Sequence, residues 1–258
     1  MDIIDNYNSL TIGQYKQIQE ISKDENLEDI DKQVQIISIL TGVDEEEILH
    51  LPITEYKELV VKSGFLNPEN INYHQIAKKY SLGKFELIPT RDFRKLETCQ
   101  YIDFQTYAQD LDKYMVEFLS VILVPKGHRY NEGYDILEVQ DAIRDDMSVS
   151  DGISLAGFFF DLVQEINSRF SELLQTGGDE DQGHDQEGDD IEEDPGTGDS
   201  FGEKWGWISN VDAASETCRC SWDEVLRGTA IEFLNILSYR KDKSDKERKE
   251  IEEWKRTH

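Results

Sequence analysis

Twenty-five consecutive residues, Thr176 to Ser200, read TGGDEDQGHDQEGDDIEEDPGTGDS. Carboxylates at this density could hold a divalent cation, so ligand spacing is the first test. A calcium loop of the helix–loop–helix type needs oxygen ligands at positions 1, 3 and 5, Gly at 6 and Glu at 12. Counted from Asp179, position 5 is Gly183 and position 6 is His184; counted from Asp181, position 3 is Gly183. Both registers fail. A tract this charged, with Ile191 as its one aliphatic residue, cannot repay the entropy of ordering. The expectation is an extended, self-repelling tether rather than a metal site.

The other chemistry-bearing residues are equally sparse. Cys218 and Cys220 could supply two ligands to zinc, but a structural site needs four, and no Cys-x-x-Cys or His pair lies nearby. They read as buried or half-exposed thiols, and Cys99 has no neighbouring His to activate it. Gly152-Ile-Ser154-Leu-Ala-Gly157 has one residue too many for a nucleophile elbow and lies in a helical pattern. Gly83-Lys84 lacks the upstream glycine of a phosphate loop. His50, His74, His128, His184 and His258 show no ligand or triad spacing. The reading is a non-enzyme with no catalytic residue, no metal ligand and no cofactor.

Bulk composition narrows the class further. The chain has 258 residues, 38% apolar, and a formal net charge of -28. Twelve acidic residues between Thr176 and Glu203 account for part of that charge, and the remainder is still acidic. Phosphate backbones require a basic footprint, so nucleic acid is not expected as a partner. No apolar run approaches the length of a membrane span. MDIIDNYNSL lacks the form of a secretion signal, and three sparse cysteines suit a reducing compartment. A soluble cytoplasmic protein is expected.

The elements that carry these residues read as helices. Thr11 and Gln14 form a capping-box pattern; IDKQVQIISIL is an apolar-striped helix stopped by Gly42; Asp44 caps a short helix. Pro52 suits the start of ITEYKELVVKS, which Gly64 ends, and Phe65 and Leu66 follow as a hydrophobic anchor. GKFELIPT alternates as a short strand or hairpin. Helices resume over YIDFQTYAQDL, DKYMVEFLSVILV up to Pro125, YDILEVQDAIRDD and the long SVSDGISLAGFFFDLVQEINSRFSELLQ. Ser221 with Glu224 caps SWDEVL, and a last helix from Thr229 turns almost wholly charged after Tyr239. The fold class is mainly α: a helical N-terminal domain over 1–176 with a short β-hairpin, an acidic disordered linker over 177–203, and a small Trp-rich helical unit over 204–258.

Two segments resemble a known family. TIGQYKQIQEI…DIDKQVQIISILTGVDEEEILHLPITEYKELVVKSGFL and CSWDEVLRGTAIEFLNILSYRKDKSDKERKEIEEWK are similar to the two ends of phage tail assembly chaperones, notably those of phages of gut Bacteroidetes. The likeness covers roughly residues 9–66 and 205–256. It implies a protein of the infected host's cytoplasm that holds the tape measure protein soluble and recruits tail tube subunits during virion morphogenesis. A two-part chain with a linker fits that pattern, and homo-oligomerisation is compatible with it. The alternative is a structural or adaptor component of the virion. Partner-facing residues are sought among Phe65, Leu66, Phe158, Phe159, Phe160, Trp205, Trp207, Trp222 and Trp254. Three consecutive phenylalanines exceed one helix face, so one must meet a second surface. Trp205, Trp207 and Trp222 are candidates either for the core of the C-terminal unit or for a partner surface; Trp254, on a charged helix, is the best placed as an exposed anchor.

Overall fold

The computed structural model describes residues 1–71, 73–171, 173 and 201–257, with backbone alone at 68 and 201–205. Thr11 opens the first helix, α1 (Ile12–Lys23), by the expected reciprocal cap: its Oγ1 accepts from the Gln14 N–H, and Gln14 Oε1 accepts from the Thr11 N–H. α2 (Asp29–Thr41) ends at Gly42, whose φ of 69° is the left-handed conformation that suits glycine. α3 (Glu45–Leu49) is capped by Asp44, and α4 (Ile53–Lys62) follows Pro52 and runs into a 3-10 turn, Ser63–Leu66.

Further along, α5 (Thr98–Tyr107), α6 (Leu111–Ile122), α7 (Ile136–Asp146) and α8 (Val149–Arg169) occupy the expected helical stretches. After the acidic tract come α9 (Phe201–Cys218, broken at Gly206 where φ is 43°), α10 (Trp222–Arg227) and α11 (Ala230–Thr257). Of the expected linker over 177–203, residues 177–200 lie outside the described residues, and 201–203 already belong to α9.

The hairpin expected at GKFELIPT is present as β1 (Tyr80–Leu82) and β2 (Phe85–Pro89), turning at Gly83 with φ of 51°. One expectation needs correction. The VILV end of the sixth helix is not helical throughout: β3 (Leu123–Pro125) adds antiparallel to β2. β-branched residues tolerate either backbone, and the open edge of β2 decides for the strand. Glu86, on β2, receives both Lys126 and Lys79, which flank the other two strands. Lys126 first and Lys79 second hold its carboxyl down at about 2, from an ordinary 4.5. The fold therefore favours the ionised form. That contribution is full above the ordinary carboxyl range and is lost as pH falls toward 2.

The mainly α chain divides into two compact units. One contains Met1–Arg91 and Phe104–Asp161; the other contains Asp92–Asp103 and Leu162–His258. Residues 92–103 therefore group with the C-terminal helices rather than with the N-terminal body, a division drawn differently from a single boundary at 176. The reason is hydrogen bonding across long sequence separation. The Thr98 N–H donates to Gly228 O, and the Ala230 N–H donates to Leu96 O.

The first unit is closed in the same manner. The Ile12 N–H donates to Met147 O, and the Val149 N–H donates to Leu10 O, around a Thr11–Ser148 bridge. In both units the cap residues of two helices lie side by side as a one-pair β-bridge, Thr11–Ser148 in one and Glu97–Thr229 in the other. Leu10 and Leu96 are both wholly buried beneath their bridges.

Packing in the first unit explains a glycine near the start of α1. A Cβ on Gly13 would lie 2.9 Å from the carbonyl oxygen and 2.9 Å from Cγ of Arg144, at the end of α7. Alanine would gain about 1 kcal/mol of helix propensity, but forcing two helices apart costs about 1–3 kcal/mol. Because one struck atom is backbone, sterics are expected to win. Gly13→Ala should lower the urea midpoint, and a raised midpoint would show that α1 and α7 can separate freely.

Candidate interaction surfaces

Inner faces form before outer faces can be judged. In the first unit, Val34 and Ile37 of α2, Ile48 of α3 and Leu59 of α4 make one core cluster, with Tyr56 and Val60 against it. Tyr7, Leu10, Ile18, Leu40 and Val149 make another. Phe65 and Leu66, the expected anchor, are half-buried against this second cluster, and the Phe65 ring meets Tyr7 edge-on at 5.3 Å. Among the described residues the Tyr7 hydroxyl has no hydrogen-bond partner, and burial raises its pKa to about 12.

The three phenylalanines of α8 divide as the crowding argument requires. Phe159 is wholly buried between Phe104 and Phe118, at 5.0 and 6.5 Å between ring centres. Phe158 is half-buried. Phe160 is 37% exposed, yet its ring stacks on Phe118 at 5.5 Å and meets Phe104 edge-on. The second surface that this aromatic run needs is thus supplied within its own unit.

In the second unit, Trp207 is half-buried and touches Tyr101 at 5.7 Å and Phe233 at 6.2 Å. It packs the unit. The side chain of Trp205 lies outside the described residues. Trp222 is 45% exposed, with its indole N–H donating to Asp212 Oδ1 at 3.1 Å. Trp254 is 62% exposed on the charged end of α11, where lysines and arginines pair with carboxylates along the helix, as Lys246 does with Glu250 and Arg248 with Asp245. Of the three tryptophans whose side chains are described, Trp222 and Trp254 are the exposed ones.

Cys218 and Cys220 are not free thiols but are joined in a disulfide. A bonded pair offers no thiolate to zinc. They border a groove of about 440 Å³ floored by Val225, Phe233 and Ile236. The two carboxylates at its rim are committed to helix caps, Glu224 to Ser221 and Glu232 to Thr229. Among the described residues, no group of three or more His, Cys, Asp and Glu could hold a metal ion. No described helix is long and apolar enough to cross a membrane.

Cys99 is the remaining sulfur. Burial, and secondly the adjacent Glu97, push its thiol up to about 12, so almost no thiolate exists at neutral pH. Intact protein is expected to resist iodoacetamide at neutral pH and to be alkylated at Cys99 once denatured. Mass spectrometry reads the outcome; rapid labelling of the folded chain would overturn it.

Two arrangements were not legible in the sequence. His74, Asp151 and Ser154 meet: His74 Nε2 is 2.8 Å from Asp151 Oδ1, and the His74 backbone N–H donates to Ser154 Oγ at 3.1 Å. Ser154 Oγ is also 3.5 Å from His74 Nδ1. These are the residue types of a hydrolytic triad, but Ser154 is only 6% exposed and lies inside α8, whose amides are spent on the helix. The trio fastens the irregular chain around His74 to the start of α8. The second arrangement is the paired bridge described above. Its only sequence signal is Leu-x-x-x-Gln-Tyr, at Leu10–Tyr15 and again at Leu96–Tyr101.

The most exposed apolar side chains of the first unit include three around α3 and α4: Leu49 at 64%, Ile53 at 66% and Val61 at 79%. None was singled out by sequence pattern, because each lies within a helix whose other face supplies a convincing core stripe.

No family model, curated protein or solved structure matches the chain.

Proposed function

We propose that this chain is a non-enzymatic assembly chaperone that holds a helical, apolar partner in solution. The observation that carries this reading is the set of large apolar side chains left exposed on ordered helices of a strongly acidic protein: Leu49, Ile53, Val61, Trp222 and Trp254. Such side chains cover apolar surface on a client. The net charge of -28 favours solubility of a chain that carries such side chains. The resemblance of the two chain ends to phage tail assembly chaperones implies a tape measure protein as the client, with tail tube subunits recruited to the same complex.

The test is co-expression of the full chain with a tape measure protein of a gut Bacteroidetes phage, followed by affinity capture. The expected result is a tape measure protein that becomes soluble and co-purifies. A tape measure protein that stays insoluble and uncaptured would overturn the reading. Mass spectrometry of purified virions tests the rival reading, a component retained in the particle. Abundant chain in mature virions would replace the chaperone with a structural adaptor.

A further inference from the structure

We propose that Cys218 and Cys220 form a reversible redox site, opened by thiol reductants while the protein stays folded. A disulfide that staples a fold closes a long loop, because its stabilisation grows with the length of chain it constrains. This one encloses Arg219 alone. It restricts the unfolded chain very little, and both of its ends lie in one corner, after α9 and before α10. As a staple it does little; as a pair of sulfurs able to open and close it has a use.

The corner that carries the pair is built without sulfur. α9 ends at Cys218, and the chain turns through Arg219, whose φ of 56° is left-handed. Helices commonly stop this way, though usually with glycine at that place. Here Ser215 holds the turn. Its carbonyl accepts the Cys220 N–H at 3.2 Å, and its Oγ donates to the Cys220 carbonyl at 2.6 Å. Both polar groups of the Cys220 backbone are thus tied to the last turn of α9 by bonds that do not involve sulfur. The two Cα atoms lie 5.4 Å apart, inside the range that a disulfide spans. A reduced pair is therefore kept within reach of itself, and closing again is an intramolecular step.

Access is one-sided. Cys218 is exposed, and Cys220 is half-buried. The thiolate of a glutathione-class reductant attacks Cys218 Sγ, forms a mixed disulfide there and breaks the bond to Cys220, which leaves as a thiolate and takes a proton from water. A second reductant thiolate attacks the reductant's sulfur in that mixed disulfide. Cys218 then leaves as a thiolate and is protonated in turn. Two reductant thiols become one disulfide, and their two electrons pass to the protein pair. Cys99, half-buried elsewhere and held as a thiol, takes no part. The inference stands apart from the chaperone reading: a chain that held no tape measure protein would still exchange at this corner.

The experiment equilibrates the full chain, without denaturant, with reduced and oxidised glutathione in varied ratio. Excess iodoacetamide then stops the exchange, and mass spectrometry locates the label. At reducing ratios Cys218 is expected to be alkylated while Cys99 stays unlabelled, which shows that the fold is kept. At oxidising ratios the bond between Cys218 and Cys220 should return within one chain. Cys220→Ser, which removes the second sulfur, is expected to retain glutathione on Cys218. Ser215→Ala removes one tie of the corner and touches neither sulfur. It should need a several-fold larger share of oxidised glutathione to close half the molecules, and circular dichroism melts check that both variants fold. A pair that opens only in denaturant would be a structural staple, and one that never closes in the folded chain would be two ordinary thiols. Either result would overturn the proposal, as would no adduct on Cys220→Ser or an unshifted balance in Ser215→Ala.

Discussion

Phe159→Ala is expected to destabilise the protein by about 3–5 kcal/mol, whereas Phe160→Ala should cost about 1–2 kcal/mol. The two residues are neighbours on α8 and have the same side chain, so only their surroundings differ. Phe159 is wholly buried, with Phe104 and Phe118 against it, and its removal leaves a cavity that these two rings cannot relax to fill. Phe160 keeps 37% of its surface exposed and lies over Phe118 at an interplanar angle of 20°. Removing it forfeits stacking and some covered area but opens no enclosed void. Urea denaturation of the two single variants gives both numbers. Equal costs would mean that the aromatic run packs differently from the arrangement described.

Phe233→Ala carries the second large effect, again about 3–5 kcal/mol, and it reports on the other unit. Phe233 is 2% exposed and faces Trp207, which in turn meets Tyr101. Its loss should therefore loosen Trp207 as well. The expected result is a lowered denaturation midpoint together with a red-shifted tryptophan emission under native conditions, since the indole gains water. Unchanged emission with an unchanged midpoint would place the core of this unit elsewhere.

What could be read from the sequence follows from how local each determinant is. The caps at Thr11, Asp44 and Ser221 bind within their own first turn, so three or four residues suffice to foresee them. The strand around Phe85–Leu87 shows its alternation locally too. β3 does not, because Leu123–Pro125 becomes a strand only in the presence of β2. Gly13 is explained by Arg144, and the chain around His74 by Asp151 and Ser154, all partners far away in the sequence. The candidate surfaces divide likewise. Trp222 and Trp254 were visible as tryptophans beside charge, while nothing in the sequence singled out Ile53 and Val61 before α2 packed against Tyr56, Leu59 and Val60 of α4. Phe159 shows the converse: composition drew attention to it as a contact residue, and three-dimensional crowding gave it a core role.

The two one-pair bridges are interleaved along the chain. Their residues run in the order Thr11, Glu97, Ser148, Thr229, so a ribosome releases the first half of both before the second half of either. For the second bridge the wait is long, since Thr98 and Gly228 stand 130 positions apart. While Glu97 waits, Ser148 emerges, and both first halves carry the same Leu-x-x-x-Gln-Tyr frame. When Ser148 emerges, two similar first halves therefore already stand in the chain. The frames differ at three positions, Thr11/Glu97, Ile12/Thr98 and Gly13/Cys99, and the last of these differs in the room it leaves a neighbouring helix. Gly13 leaves room for the Arg144 carbonyl, and at the equivalent place Cys99 would not.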